Sequence, residues 1–375
     1  VSVTRLTLPQ PLARATDSWC TWGACSLGPR LYHQPLADGR TLLGWTDLSG
    51  NGHVSVISGS LIERTYDYPG EALRGLTAHD GGAFAVLLFR ASDTKMYLSK
   101  RDANGSELWR TDLSSAIAAP DFWLGDSRLT YGNGRYLAYY TVKGTSGNFT
   151  GHYGDQLTYV DDAGARQYDG WDWGCSHSMA QLASYHPGLG QFVSSCSSDC
   201  YPGKGIFLGA NGGQRVYEAD GNCGGNVSAQ LGQVALGDDS WKLVFNAIDR
   251  TCCEGHGIAL ATISAGYQSN MVWLTHTDGA TERNPVIARL GDNGQDERYL
   301  TGWNTTNDDR FWLAIIDGSG DFVVAPEEVS SKGIGWGDRD DSFRTRPDGT
   351  VSWVWGESRS AQVSLYRFDG SAALR

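Results

Sequence analysis

LYHQPLADGRTLLGW, residues 31–45, reads as a strand, an Asp-Gly turn and a second, more apolar strand. The same text returns six more times: RGLTAHDGGAFAVLLF from 74, RLTYGNGRYLAYY from 128, LASYHPGLGQFVSSC from 182, LGQVALGDDSWKLVF from 231, PVIARLGDNGQDERYLTGW from 285 and FRTRPDGTVSWVW from 343. A third strand follows each hairpin, often ending in an Asp, Asn or Gly turn: VSVISG from 54, MYLSKRDANG from 96, QLTYVDDAG from 156, GIFLGANGG from 205, GIALATISAG from 257, FWLAIIDGSG from 311 and VSLYRFDG from 363. A unit of about 50 residues built from antiparallel strands has the size of a propeller blade. The expected fold is therefore all-β, a seven-bladed β-propeller of four-stranded antiparallel blades, with 1–375 as a single domain. A pair of β-sandwiches would not need so regular a step.

The seventh unit stops after its third strand. The opening segment VSVTRLTL, residues 1–8, has the alternation of a strand and no other assignment, so it is expected to close the ring by pairing near residues 363–368.

Composition agrees with short aromatic strands joined by tight turns: 49 Gly, 14 Trp and 17 Tyr against 3 Met. A formal net charge of −12 argues against a nucleic-acid surface. The longest apolar run, AVLLF at 85–89, is far below the roughly 20 residues of a membrane helix, so a soluble, monomeric chain without a membrane span is expected.

Eight cysteines without CxxC pairs, and a first residue that is already Val, point to an oxidising compartment: secreted or extracellular, with the periplasm allowed. Cys20 and Cys25 are near enough in sequence to bridge, as are Cys196 and Cys200. Cys175, Cys223, Cys252 and Cys253 are expected to staple elements between 175 and 253, with the connectivity open. Asn104, Asn148, Asn226 and Asn304 stand in glycosylation sequons.

In a four-stranded meander the turns after the first and third strands (A and C) share one face, and those after the second and fourth (B and D) share the other. Long connections fall on the second face, and loops on a rigid scaffold are where function concentrates. His33, His53, His152, His177 and His256 map there with Lys204, Arg250, Arg283, Arg310 and Arg339; His79 and His186 map to the opposite turns and His276 to a strand. The densest group is GHYGDQL at 151–157 with GWDWGCSHS at 170–178. His152 and His177 are expected to meet near the axis, with Asp155 orienting His152. Trp171 and Trp173 offer flat faces to a sugar ring or cap the neighbouring blade. His33 and His53 form a second candidate pair.

Oxygen-rich turns at DLSGNG (47–52), DGSGD (317–321) and GDRDD (337–341) admit Ca2+, although none has the EF-hand spacing and turn chemistry explains them equally. Zinc through His152, His177 and His256 is a further option without a sequence signature. No phosphate loop or serine nucleophile elbow is present, so no cofactor is expected to be required.

The stretches WCTWG…GPRLYHQPLADGRTLLGWTD…GHVSVI and DGGAFAVLLFRASDTKMYLSKRDANG resemble the first two blades of the neuraminidase-like-repeat propellers that include secreted ulvan lyases and rhamnose-glucuronate lyases. The resemblance implies a secreted seven-bladed propeller acting on an acidic polysaccharide. In that family one His begins the first strand of blade 2 and another closes the hairpin. This chain has Leu73-Arg74 and Arg90-Ala91 there, so that pair does not carry over.

Two function classes follow. A multivalent lectin would reuse one motif in every blade. Here His, Trp and Arg crowd at blades 3–5, as a single asymmetric site requires. The preferred expectation is an enzyme cleaving a uronate-containing extracellular polysaccharide by β-elimination, and the alternative is a non-catalytic glycan-binding or cell-surface recognition propeller. For elimination, Arg250, with Lys204 or Arg339, would hold the uronate carboxylate. His152 would act as base and His177 as acid, with Tyr153 or Tyr201 able to replace either. Trp171, Trp173 and His256 complete the expected substrate contacts.

Overall fold

The computed structural model describes residues 1–370 apart from 14–29, 122–124, 179, 210–212, 225–226, 279–280, 292–296, 307–309 and 338–341. Seven antiparallel sheets form a β-propeller. Blade 1 comprises strands Tyr32–Pro35, Thr41–Thr46, Gly52–Ser58 and Leu61–Tyr68, and each later unit repeats the A-B-C-D meander. In blade 3 the A position is split, with Ala118–Pro120 and Ser127–Gly132 both pairing with Arg135–Gly144. Each A strand contacts the A strands of the two neighbouring blades, and the cycle closes from blade 7 to blade 1, so the A strands encircle the axis.

Turn chemistry explains why the hairpins close. Asn133 and Gly134 have φ of 48° and 71°, the left-handed pair that a two-residue hairpin turn demands. The blades then hide both faces of their middle strands. Ala85, Val86, Leu87 and Leu88 are each 0% exposed, because strand B of blade 2 (Phe84–Arg90) is sandwiched between neighbouring sheets. The AVLLF run is thus core strand, and no helix among the described residues is long and apolar enough to cross a membrane.

The seventh blade, Arg344–Thr345, Val351–Gly356 and Gln362–Phe368, takes Ser2–Thr7 as its outer strand. Ser2 faces Arg367 and Thr7 faces Gln362 in an unbroken antiparallel register. Leu6 and Leu8 are buried in a cluster shared with Leu43 and Trp45 of blade 1, which joins the first and last blades.

Cysteine pairing departs from the local bridge expected at Cys196–Cys200. The bonds are Cys175–Cys196, Cys200–Cys223 and Cys252–Cys253, all inside the expected 175–253 region. Cys196, in strand B of blade 4 (Gln191–Ser198), is buried against Cys175, whereas Cys200 stands past the end of that strand, in the loop that meets Cys223. Cys20 and Cys25 lie outside the described residues. Replacing Cys175 and Cys196 together by Ala is expected to lower unfolding free energy by about 2–4 kcal/mol in a denaturant titration, since the bridge closes a loop of 21 residues. An unchanged midpoint would show that the bond contributes nothing.

Asn304 is only 3% exposed in strand B of blade 6, so it cannot accept a glycan in the folded chain, whereas Asn104 and Asn148 are exposed. Asn226 lies outside the described residues.

Candidate active site

The B–C connection of blade 3 brings His152 to the mouth, and the connection from blade 3 into blade 4 brings His177. Their rings meet edge to face with centroids 5.7 Å apart. Local backbone enforces this meeting: the His177 N–H donates to the Tyr153 carbonyl at 2.8 Å, and the His152 N–H to the Phe149 carbonyl at 2.9 Å. His177 has φ of 48°, in the sparsely populated left-handed region, and its imidazole is held from the side-chain end as well.

Asp199 does the holding. This carboxylate is 1% exposed and meets His177 Nδ1 at 3.0 Å, with the Ser176 hydroxyl also on Nδ1 at 3.1 Å. Such a partner places the imidazole proton on Nδ1 and the basic lone pair on Nε2. The disulfides flank this dyad: Cys175 precedes Ser176-His177, and Cys200 follows Asp199. They fasten both partners to the same end of blade 4.

Asp155 does not orient His152. His152 lies in the B–C connection, just before strand C (Tyr153–Asp161), whereas Asp155 stands within that strand and turns into the core, where it is 0% exposed and accepts bonds from Tyr139 Oη at 2.8 Å and Trp171 Nε1 at 2.9 Å. Burial pushes its pKa up to about 7, although the Trp171 and Tyr139 donors favour the ionised form. In the unfolded chain Asp155 would lose its proton near 3.8. The folded state therefore holds the extra proton between these values, and the resulting stability is complete below about pH 4 and is lost as pH rises towards 7. Asp155→Asn cannot ionise, so relative to wild type it should gain on the order of 4 kcal/mol between about pH 4 and pH 8. Denaturation curves of both proteins across that range test this; parallel pH profiles would refute it.

The two indoles serve the wall. Trp171 is half-buried through its bond to Asp155, and Trp173 packs on Phe149 at 5.0 Å and over Gly154, where an added Cβ would sit 2.6 Å from the indole. Tyr153 is half-buried beneath Lys143, whose Nζ lies 5.4 Å from the ring centroid, and burial raises its pKa with Asp121 adding to the effect.

The cations named from sequence are committed to loops. Arg250 pairs with Asp220 at 2.9 Å and donates to the Glu218 carbonyl at 2.6 Å; Lys204 Nζ donates to the carbonyls of Gly224 at 3.0 Å and Asn222 at 3.4 Å. Arg339 lies outside the described residues. His256 begins strand C of blade 5 (His256–Ser264) beside Thr281, and burial lowers its pKa. It makes no ring contact with the histidine pair. His33 and His53 do not form a second pair. His33 meets the Ser352 hydroxyl at 3.2 Å, while His53 stacks on Trp45 and lies between Asp47 and Asp67.

Other basic groups line the axial side of blades 1–3. Arg30 precedes strand A of blade 1, Arg74 lies in strand A of blade 2 (Glu71–Ala78), and Arg128 lies in strand A of blade 3. Burial and the neighbouring Arg30 charge hold the Arg74 pKa down to about 9; Asp126 opposes that shift and pairs with Arg128 at 2.7 Å. Buried Thr141 joins this rim to the histidines: its N–H donates to the Asp126 carbonyl at 3.1 Å, and its hydroxyl to the Ser178 carbonyl at 3.1 Å, one residue from His177. Sequence reading missed these arginines because they sit in short, ordinary A strands rather than in long loops.

Asp47 and Asp317 spend a carboxylate oxygen on turn N–H groups, of Ser49 and Asn51 and of Ser319 and Asp321 respectively, as their turns require. Among the described residues, His152, His177 and His256 do not form a three-ligand cluster. The groups that do are Cys252, Cys253 and His276, and Asp155 with the bonded Cys175 and Cys196.

No protein-family model matches the chain, and no curated protein matches it. Solved structures do. The alpha-L-arabinanase of Penicillium chrysogenum complexed with arabinobiose is 10% identical, with 98% of this chain and 99% of that chain covered and a TM-score of 0.47. AofleA from Arthrobotrys oligospora is 11% identical over 86% and 94%, with a TM-score of 0.40. Hydrazine synthase of Kuenenia stuttgartiensis is 12% identical over 92% and 96%, with a TM-score of 0.50. At such identities the likeness concerns the fold, and chemistry has to be read from the side chains.

Proposed function

We propose that this protein is a secreted, carbohydrate-active propeller that cleaves a uronate-containing extracellular polysaccharide by β-elimination at one site on its long-loop face. The observation that carries the reading is the His152–His177 pair at 5.7 Å with His177 braced by buried Asp199. Arginines at the adjoining axial rim and the resemblance of the first two blades to the ulvan and rhamnose-glucuronate lyases support it. The residues exchange the roles expected from sequence. The carboxylate-oriented ring takes the role of base, because buried Asp199 fixes its orientation at 3.0 Å.

Elimination needs three tasks. A guanidinium of the rim, Arg74 or Arg30, neutralises the uronate carboxylate and so acidifies the C5 proton. His177 Nε2 takes that proton, the C4–C5 double bond forms, and the C4–O4 bond breaks. His152, exposed opposite, protonates the departing O4, with Tyr153 or Tyr201 as the alternative donor. Proton transfers alone complete the reaction, so no cofactor is called for, and one chain supplies every group.

The test is incubation with a panel of uronate polysaccharides while following absorbance near about 235 nm, where a conjugated uronate absorbs, with a glycan array alongside. Rising absorbance is the expected result. Array binding without absorbance or new reducing ends would replace the enzyme reading with glycan recognition, and silence in both assays would remove carbohydrate altogether.

A further inference from the structure

The B–C loop of blade 5, residues 249–255, carries a second cluster that the elimination does not use. Cys252 and Cys253 are bonded to each other. Asp249, 3% exposed, spends Oδ1 on the N–H and hydroxyl of Thr251 and turns Oδ2 towards His276 Nδ1 at 3.0 Å. Cys252 Sγ lies 3.4 Å from that same Oδ2 and 3.4 Å from the same Nδ1. His276, expected in a strand, instead follows strand D (Ser269–Trp273) in the connection to blade 6 and reaches this loop from the side. The ligand atoms of Cys252, Cys253 and His276 all lie within 4.8 Å of one another.

The separations among Asp249 Oδ2, His276 Nδ1 and Cys252 Sγ are close to those of one coordination shell, and Cys253 Sγ lies within 4.8 Å of the ligand atoms of Cys252 and His276. Zinc takes nitrogen or oxygen at about 2.0–2.2 Å and sulfur at about 2.3 Å, so the edges of its tetrahedron run about 3.3–3.8 Å. Only the bond between the two sulfurs stands in the way, because a metal of this class binds thiolates.

We propose that opening the Cys252–Cys253 bond creates a site for one zinc-class divalent cation, with Cys252 Sγ, Cys253 Sγ, His276 Nδ1 and Asp249 Oδ2 as ligands. The loop is thus a thiol-gated metal site. A dithiol supplies two electrons and two protons and leaves as its own disulfide, the sulfur–sulfur bond breaks to two thiols, and the cation then displaces both thiol protons. Two thiolates neutralise the divalent ion, the carboxylate brings the site to one net negative charge, and the imidazole completes a mixed sulfur, nitrogen and oxygen set suited to zinc.

Cobalt(II) is the probe, because thiolate coordination gives it a near-ultraviolet charge-transfer band and a tetrahedral site gives it intense visible absorption. The full chain is treated with limiting dithiol, and mass spectrometry after alkylation verifies that Cys252 and Cys253 have opened. One cobalt per chain is expected after reduction and none before it, with Zn2+ displacing the cobalt. His276→Ala should weaken binding at least tenfold, and Cys252→Ser with Cys253→Ser should abolish it under the same reduction. Cys253→Ser alone exposes the Cys252 thiol with the other bridges intact, and should bind cobalt without any reductant. Equal binding by the double-serine variant, binding by the unreduced wild type, or no binding by both the reduced protein and Cys253→Ser would overturn the proposal.

Discussion

Replacing His177 by Ala is expected to lower turnover of a uronate polysaccharide by about 10²- to 10⁴-fold while leaving KM within a few fold, since the ring acts in the transition state rather than in holding the substrate. Asp199→Asn should fall in the same direction by a smaller factor. An amide still fills the buried space beside Nδ1, 3.0 Å away, but it cannot stabilise the imidazolium. The structural alternative, that Asp199 merely holds the loop, predicts a lower melting temperature with an unchanged pH–rate profile. The positioning role instead predicts a lower kcat at an unchanged melting temperature, with KM within a few fold. His152→Ala should depress turnover to a similar extent, and a substrate with a better O4 leaving group should recover part of that loss but not the loss at His177. Equal rates for wild type and His177→Ala would remove the ring from the chemistry.

Deleting residues 1–8 is expected to lower stability markedly. Leu6 and Leu8, 3% and 2% exposed, together contribute about 3–6 kcal/mol through burial between blades 7 and 1. That is a large part of the roughly 5–15 kcal/mol by which a domain is stable. Six backbone pairings from Ser2 to Thr7 would also vanish, leaving Gln362–Phe368 as an open sheet edge. The truncated chain should show a far lower urea midpoint and associate during size-exclusion chromatography. A midpoint equal to that of the intact chain would mean that the closure is dispensable.

The blades were legible because everything that defines them is local. A tight turn between alternating runs, Asn-Gly or Asp-Gly in five of the seven units, specifies a hairpin over a dozen residues, and seven such hairpins specify a ring. The histidine pair was legible by the same rhythm, since the blade 3 loop and the blade 3–4 connection must emerge on one face. Asp155 was a misreading because it stands within strand C and its carboxylate is spent on Tyr139 and Trp171 in the core, whereas His152 lies in the connection before that strand. Asp199 stands 22 residues from His177 and meets it where strand B of blade 4 ends beside the connection into that blade, between the Cys175–Cys196 and Cys200–Cys223 bridges. The bridging of Cys196 was misjudged for a related reason, since two cysteines near in sequence are divided between a buried strand and the loop beyond its end.

By itself, then, the sequence determined the all-β class, the blade number, the closing role of residues 1–8 and the face that bears the histidines, because periodicity and turn chemistry act between near neighbours. Only the tertiary structure decided which carboxylate serves which imidazole, that Arg250 and Lys204 are spent on loops, and that Arg30, Arg74 and Arg128 gather from three different blades. Those partnerships join residues from separate blades or connections, and the ring geometry that brings them within bonding distance has no trace in any one stretch of chain.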